Sequence, residues 1–151
     1  FVNTVKVQSA KDMYDAVIER ADSMDIIVKA AAVADYRPKN VSSEKVKKQD
    51  GNMSIELERT DDILKTLGER KNSQFICGFS METENMLENS RKKLEKKNCD
   101  MIVANNLKQD GAGFGGNTNI VTLITKDDEV QLEKMTKDEV AEKIFDFILS
   151  R

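Results

Sequence analysis

Three runs in this chain are made for burial on both sides: DIIVKAAA at 25–32, QFICGFS at 74–80 and DMIVANN at 100–106. Each is short, nearly continuous in apolar residues and rich in β-branched or aromatic side chains, as strands inside a parallel sheet are. Parallel neighbours need long crossovers, usually helical. The intervening sequence supplies them. A helix from Ser9 to about Met24 keeps Met13, Ala16, Val17 and Ala21 on one side, with Ser9 and Asp12 as an approximate capping box. A second is capped by Thr60, Asp61 and Asp62 and runs to about Lys71. A third runs from Thr83 to about Lys97. This alternation predicts an α/β fold, a doubly wound, mostly parallel Rossmann-like sheet.

The remaining segments fill in its borders. VNTVKV at 2–7 reads as a short strand, and MSIELE at 53–58 alternates as a half-exposed one. GAGFGGNTN at 111–119 is a loop. NIVTLIT, the turn KDDE and VQLEKM follow as an antiparallel edge hairpin. Thr136 and Glu139 form a capping box before a last helix that turns Val140, Ile144, Phe147 and Ile148 inward. No repeat, low-complexity tract or linker interrupts the chain, so residues 1–151 read as a single domain.

Composition excludes several chemistries. With 24 Lys and Arg against 27 Asp and Glu, the net charge of -3 gives no general attraction to nucleic acid or an anionic membrane. No apolar run approaches the roughly 18 residues of a membrane span. A cytoplasmic protein without nucleic-acid or membrane partners is the expectation. Histidine is absent, which removes the base of a Ser-His-Asp or Cys-His system and the usual zinc ligands. Cys77 and Cys99 lie in or beside strand-like runs and read as buried reduced thiols. No metal site is expected from the protein's own residues.

Ligands of doubly wound sheets bind beyond the carboxyl ends of the strands. The loops after Ala32, Phe79 and Ala104 are therefore the places to look. Asp35 could accept bonds from a ribose or approach a phosphate-bound magnesium, or it could satisfy a turn. Lys45, Lys47 and Lys48 form either a solvated charge run or a mobile phosphate-binding loop. Met86, Ser90, Lys93 and Lys97 share one helical stripe, apolar at its start and cationic at its end. That stripe suits an anion at the sheet's rim, although two lysines near a helix C-terminus need no ligand to exist. No phosphate-loop motif or strand-linked dinucleotide fingerprint occurs. Tyr36 and Lys39 flank Pro38, which argues against a helical catalytic pair there.

AAVADYRP at 31–38, EKVKK at 44–48, GFSMET at 78–83, RKKLEKKNCDMIVAN at 91–105 and GFGGNTN at 113–119 keep their order and spacing along the chain. In these the chain resembles bacterial phosphopantothenoylcysteine synthetases, a family often fused behind a flavin-dependent decarboxylase in coenzyme A biosynthesis. The resemblance implies a ligase that joins 4'-phosphopantothenate to L-cysteine through an acyl-cytidylate, using CTP and Mg2+, with FMN only where a decarboxylase is fused upstream. By position, Asp35 matches a nucleotide-contacting aspartate and Lys45 the first, catalytic lysine of a K-x-K-K flap. Ala30, Ala31, Ala32, Asp61, Asp62, Ile63, Leu64 and Phe79 fall where the family lines its CTP pocket, and Lys93 and Lys97 match further nucleotide-binding lysines. A homodimer is implied as well, with the hairpin from Asn119 to Met135 as a plausible surface. The family's glycine-rich opening segment has no counterpart here, so the chain corresponds to the C-terminal part of the synthetase domain. Gly116 and Asn117 stand where Ser-Asp is common.

Overall fold

The computed structural model describes residues 2–48, 50–106 and 116–151. Helix α1 (Ala10–Ala21) comes first, and its capping box is complete: the Ser9 hydroxyl accepts the Asp12 amide and the Asp12 carboxylate accepts the Ser9 amide. Then follow β1 (Ile26–Lys29), β2 (Tyr36–Pro38), β3 (Leu57–Arg59), α2 (Ile63–Arg70), β4 (Phe75–Glu82), α3 (Met86–Lys96) and β5 (Met101–Asn106). The chain continues through β6 (Thr118–Asn119), β7 (Val121–Ile124), β8 (Glu129–Gln131) and β9 (Met135–Thr136) to α4 (Lys137–Leu149).

The central sheet has the order β1-β4-β5-β7-β8, with β1, β4 and β5 parallel and the β7–β8 hairpin antiparallel at one edge. Since β1, β4 and β5 step across the sheet in one direction, crossovers of the usual hand put α2 and α3 on the same face. Ile76 and Ile102 point there, against Leu64, Leu67 and Leu94, and α1 covers the layer with Val17, Ile18 and Ala21. Cys77, Met101 and Val103 stand one residue out of phase and point the other way. On that face they meet Val140, Ile144 and Ile148 of α4, whose Thr136–Glu139 capping box is also complete. Helices on both faces make the expected doubly wound α/β fold.

Several segments differ from expectation for identifiable reasons. β1 was expected to fill 25–32 with both faces covered; it stops at Lys29, and residues 30–32 are exposed and irregular. Among the described residues it pairs with β4 alone, at one end of the sheet, with Val28 38% exposed. Residues 2–7 form no strand, and Val2, Val5 and Val7 are exposed. A strand needs a neighbour to satisfy its amides, and this segment has no ladder partner among the described residues. Of MSIELE, the ladder takes only Leu57 and Glu58, with Arg59 beyond it, because the opposing strand is the short β2, which the sequence did not announce. The α3 helix starts three residues later than expected, because β4 runs on to Glu82 and Asn85 turns the chain at φ 47°. α1 ends at Ala21, short of Met24. Most of the glycine-rich loop, 111–115, lies outside the described residues.

α2 and α3 meet at Lys97, just past the end of α3. A Cβ on the buried Gly68 would stand 1.9 Å from the Lys97 carbonyl oxygen. Asn98, at φ 51°, donates its side-chain amide to the Gly68 carbonyl at 2.9 Å. The Lys97 ammonium then reaches the carboxylate of Asp62, the N-cap of α2, whose other oxygen accepts the Lys65 amide at 2.9 Å. Burial pushes the Asp62 carboxyl up, but the bonds from Lys97 and Lys65 outweigh it and hold the group below the ordinary carboxylate range.

In an unconstrained helix Gly→Ala stabilises by about 0.5–1 kcal/mol. Gly68→Ala is expected to do the reverse, costing on the order of 2 kcal/mol in urea unfolding because backbone must move; a raised midpoint would refute the packing. Asp62→Asn should keep the cap and lose the charge. A carboxyl whose folded pKa is depressed contributes stability in full above its unfolded value, near ~3.9, and loses it as pH falls through the lower folded value. The Tm gap between wild type and Asp62→Asn should thus be widest near neutrality and close below about pH 3. A gap that stays constant with pH would contradict this.

Candidate functional site

At Lys29 the chain leaves the sheet through the exposed Ala30, Ala31 and Ala32. Thr60 fastens the far end of this loop, its hydroxyl donating to the Ala34 carbonyl at 2.6 Å and its amide to the Asp35 carbonyl at 2.9 Å. Asp35 is thereby held beside the start of α2. Past it, the β2–β3 pair is stitched by charge: Arg37 to Glu58 at 2.6 Å and Lys39 to Glu56 at 2.8 Å. The Arg59 guanidinium lies 5.7 Å from the centre of the Tyr36 ring.

These elements enclose a cavity of about 560 Å³ at the carboxyl ends of β1 and β4. Ala30, Ala31, Ala32 and Asp35 reach it from the loop, and Asp61, Asp62, Ile63 and Leu64 from the start of α2. Phe79 of β4 and Lys93 and Lys97 from the end of α3 complete the set. Of the positions that the resemblance assigns to the nucleotide site, all but one therefore line a single space. The exception is Lys45, which lies with Lys47 and Lys48 in the exposed, irregular segment between β2 and β3, outside the lining.

The stripe on α3 faces the sheet. Ser90 is fully buried, its hydroxyl 2.7 Å from that of Ser80, and Lys93 donates to the Phe79 carbonyl at 2.7 Å. Lys97, whose side chain is 16% exposed, is paired with Asp62. Sequence reasoning did not select Lys29, Arg59, Thr60 or Met81, which also line the cavity. Lys29 was readable only as an interior residue of the strand-like run at 25–32, and its convergence with Lys93 and Lys97 is tertiary. Burial lowers the basicity of Lys29, and Lys93 lowers it further, while Asp62 and Asp35 pull it back up. Asn105, on β5, is 6% exposed, and its side-chain oxygen has no hydrogen-bond partner among the described residues.

The cysteines are free and buried, as the sequence implied. Burial, with Cys99 adding to it, pushes the Cys77 thiol up to about 12, and burial and Asp100 push Cys99 up to about 11. Neither offers a thiolate. Among the described residues no group of three or more carboxylates and cysteines is arranged to enclose a metal ion by itself. What the cavity offers is charge held in place: three ammonium groups, the Arg59 guanidinium, three carboxylates and the first turn of a helix.

The chain is 55% identical over 123 residues to the coenzyme A biosynthesis bifunctional protein CoaBC of Bacillus subtilis (strain 168), covering 82% of this chain and 30% of that protein. It is 43% identical over 151 residues to a cysteine/cysteine sulfinic acid decarboxylase from an unknown prokaryotic organism, covering 99% of this chain and 42% of that protein. The crystal structure of the C-terminal domain of CoaBC matches the fold with a TM-score of 0.79 at 47% identity, over 97% of this chain and 64% of that one. The chain thus spans under half the length of these curated relatives and under two thirds of the solved domain. The family model of the DNA/pantothenate metabolism flavoprotein C-terminal domain matches residues 1–151, and the chain belongs to that family.

Proposed function

We propose that this chain is the nucleotide-binding part of a coenzyme A biosynthesis ligase that joins 4'-phosphopantothenate to L-cysteine with CTP. The observation that carries the reading is the convergence of Asp35, Asp61 and Asp62 with Lys93 and Lys97 in one cavity at the strand ends. The substrate carboxylate attacks the α-phosphate of CTP and pyrophosphate leaves. The cysteine amine then attacks the acyl-cytidylate, forming the amide and releasing CMP. Neither step needs a protein nucleophile or a histidine, in keeping with a chain that has no histidine and two buried thiols of raised pKa.

In this reading the protein positions and neutralises. Lys93 and Lys97 take the polyphosphate, Phe79 and Leu64 give the nucleotide an apolar surface, and Ala30–Ala32 let it approach backbone. A hard divalent ion carried on phosphates needs only one or two protein carboxylates, so Asp35 and Asp61 fit magnesium, while both oxygens of Asp62 are engaged by Lys65 and Lys97. When bound it would neutralise phosphate charge. Lys45 acts from its exposed segment as a flap over the departing anion. A homodimer, a fused decarboxylase carrying FMN and a cytoplasmic location belong to the same proposal for the longer protein. A nucleotide-binding module without turnover is the second reading, favoured by the position of Lys45 outside the cavity lining.

Calorimetric titration with CTP and magnesium, with ATP as comparison, is expected to give saturable, CTP-selective binding. Absence of binding to a folded sample would refute the reading. Pyrophosphate release that requires phosphopantothenate separates the ligase from the module. Replacing Lys93 and Lys97 together with Met should weaken CTP binding at least tenfold and flatten its salt dependence. Lys45→Ala in the full-length protein should lower kcat on the order of 100-fold with Tm unchanged, as loss of one contact to developing charge does; an unaltered kcat would remove Lys45 from the mechanism.

A further inference from the structure

Lys29 is the last residue of β1, and its side chain is half-buried in the cavity. Its one hydrogen bond among the described residues runs to the Ala31 carbonyl at 2.9 Å, a neutral acceptor two residues along the chain. No carboxylate among the described residues lies within ion-pair distance of it, although Asp35 and Asp62 are near enough to be felt. Lys93 is in the same position, with a carbonyl, that of Phe79, as its partner. Lys97 differs, since Asp62 compensates it. The cavity therefore contains two ammonium groups, close enough to disfavour one another, that rest on neutral oxygens.

Burying an ammonium without a counter-charge costs free energy, and a second cation nearby raises that cost. A surface lysine escapes by extending into water, as Lys45 does. Lys29 is denied this by its place in the ladder, where pairing with Gly78 fixes the residue at the sheet's rim. A carbonyl is a weak compensator beside an oxyanion, which accepts charge-assisted bonds roughly twice as strong as neutral ones. We propose that Lys29 is a phosphate-binding residue: it leaves the Ala31 carbonyl to bracket, together with Lys93, one oxyanion of the ligand's polyphosphate. This rests on the reading of the cavity as a nucleotide site and adds to it a contact made at the end of β1.

The test uses Lys29→Met in the full-length protein, with Lys93→Met as comparator and thermal unfolding to confirm that both fold. CTP with magnesium and cytidine, which has no phosphate, are titrated calorimetrically over a range of salt. Lys29→Met is expected to bind CTP about tenfold more weakly, with a shallower salt dependence, and to bind cytidine as wild type does. Lys29→Arg should recover most of the loss. If Lys29→Met binds CTP like wild type while Lys93→Met is impaired, the cavity is a nucleotide site and Lys29 only fastens its loop. Equal losses for CTP and cytidine would also overturn the proposal, since they would place Lys29 in loop positioning. Wild-type CTP binding by both variants would remove the nucleotide reading of the cavity and this inference with it.

Discussion

The Asp62 carboxylate holds the site together by serving two elements at once. One oxygen accepts the Lys65 amide and so caps α2; the other takes the Lys97 ammonium from the end of α3. Remove it and α2 loses its N-terminal partner while Lys97 loses the charge that draws its mostly buried side chain toward the cavity. The Gly68 and Asn98 contacts then explain why this pairing has a fixed geometry. They press the backbone of Lys97 against α2, so the side chain has one direction in which to run. The position of a cation in the cavity is thus decided by a missing side chain at Gly68, well inside the helix.

The fold places the cavity where charge is easiest to concentrate. β1 and β4 end there, α2 begins there, and the N-terminal turn of a helix carries partial positive charge. Asp61 and Asp62 offset that charge near the cap. The lysines come from the opposite direction, from the end of α3 and the end of β1. With Lys29, Lys93, Lys97 and Arg59 set against Asp35, Asp61 and Asp62, and two of the ammonium groups resting on carbonyls, the balance leaves room for an anion. Compensation left incomplete in this way costs free energy in the empty site, which a bound oxyanion offsets.

The parts that were legible in the sequence are those whose burial is complete. β4 and β5 are flanked by strands on both sides and by helices on both faces, so their residues are apolar in succession and the strand pattern is unmistakable. β1 shared that pattern but has a ladder partner on one side alone among the described residues, and its run turns into loop after Lys29. β2 carried no hydrophobic signal at all, because Arg37 and Lys39 hold it to β3 through Glu58 and Glu56. Such a strand is visible only once its partner is known. The motif residues of the cavity were legible through resemblance, residue by residue; Lys29 was not, since its role depends on distances between segments separated by more than sixty positions.

Chemistry without a protein nucleophile places its demand on position. Both thiols are locked in the core with raised pKa values and the chain has no imidazole, so the charged side chains of the cavity are what this chain brings to a reaction. Fixed charges act most strongly where water is scarce. Lys93 and Lys97 are set in that way by helix packing, and Lys29 by the ladder. Lys45 is not: it stands in water on an irregular segment, where a single ammonium is screened. For Lys45 to matter it must arrive with the ligand, whereas the other three are already in place. The division between cations set by the fold and one carried by a loop is the arrangement expected when binding precedes, and is separable from, the chemical step.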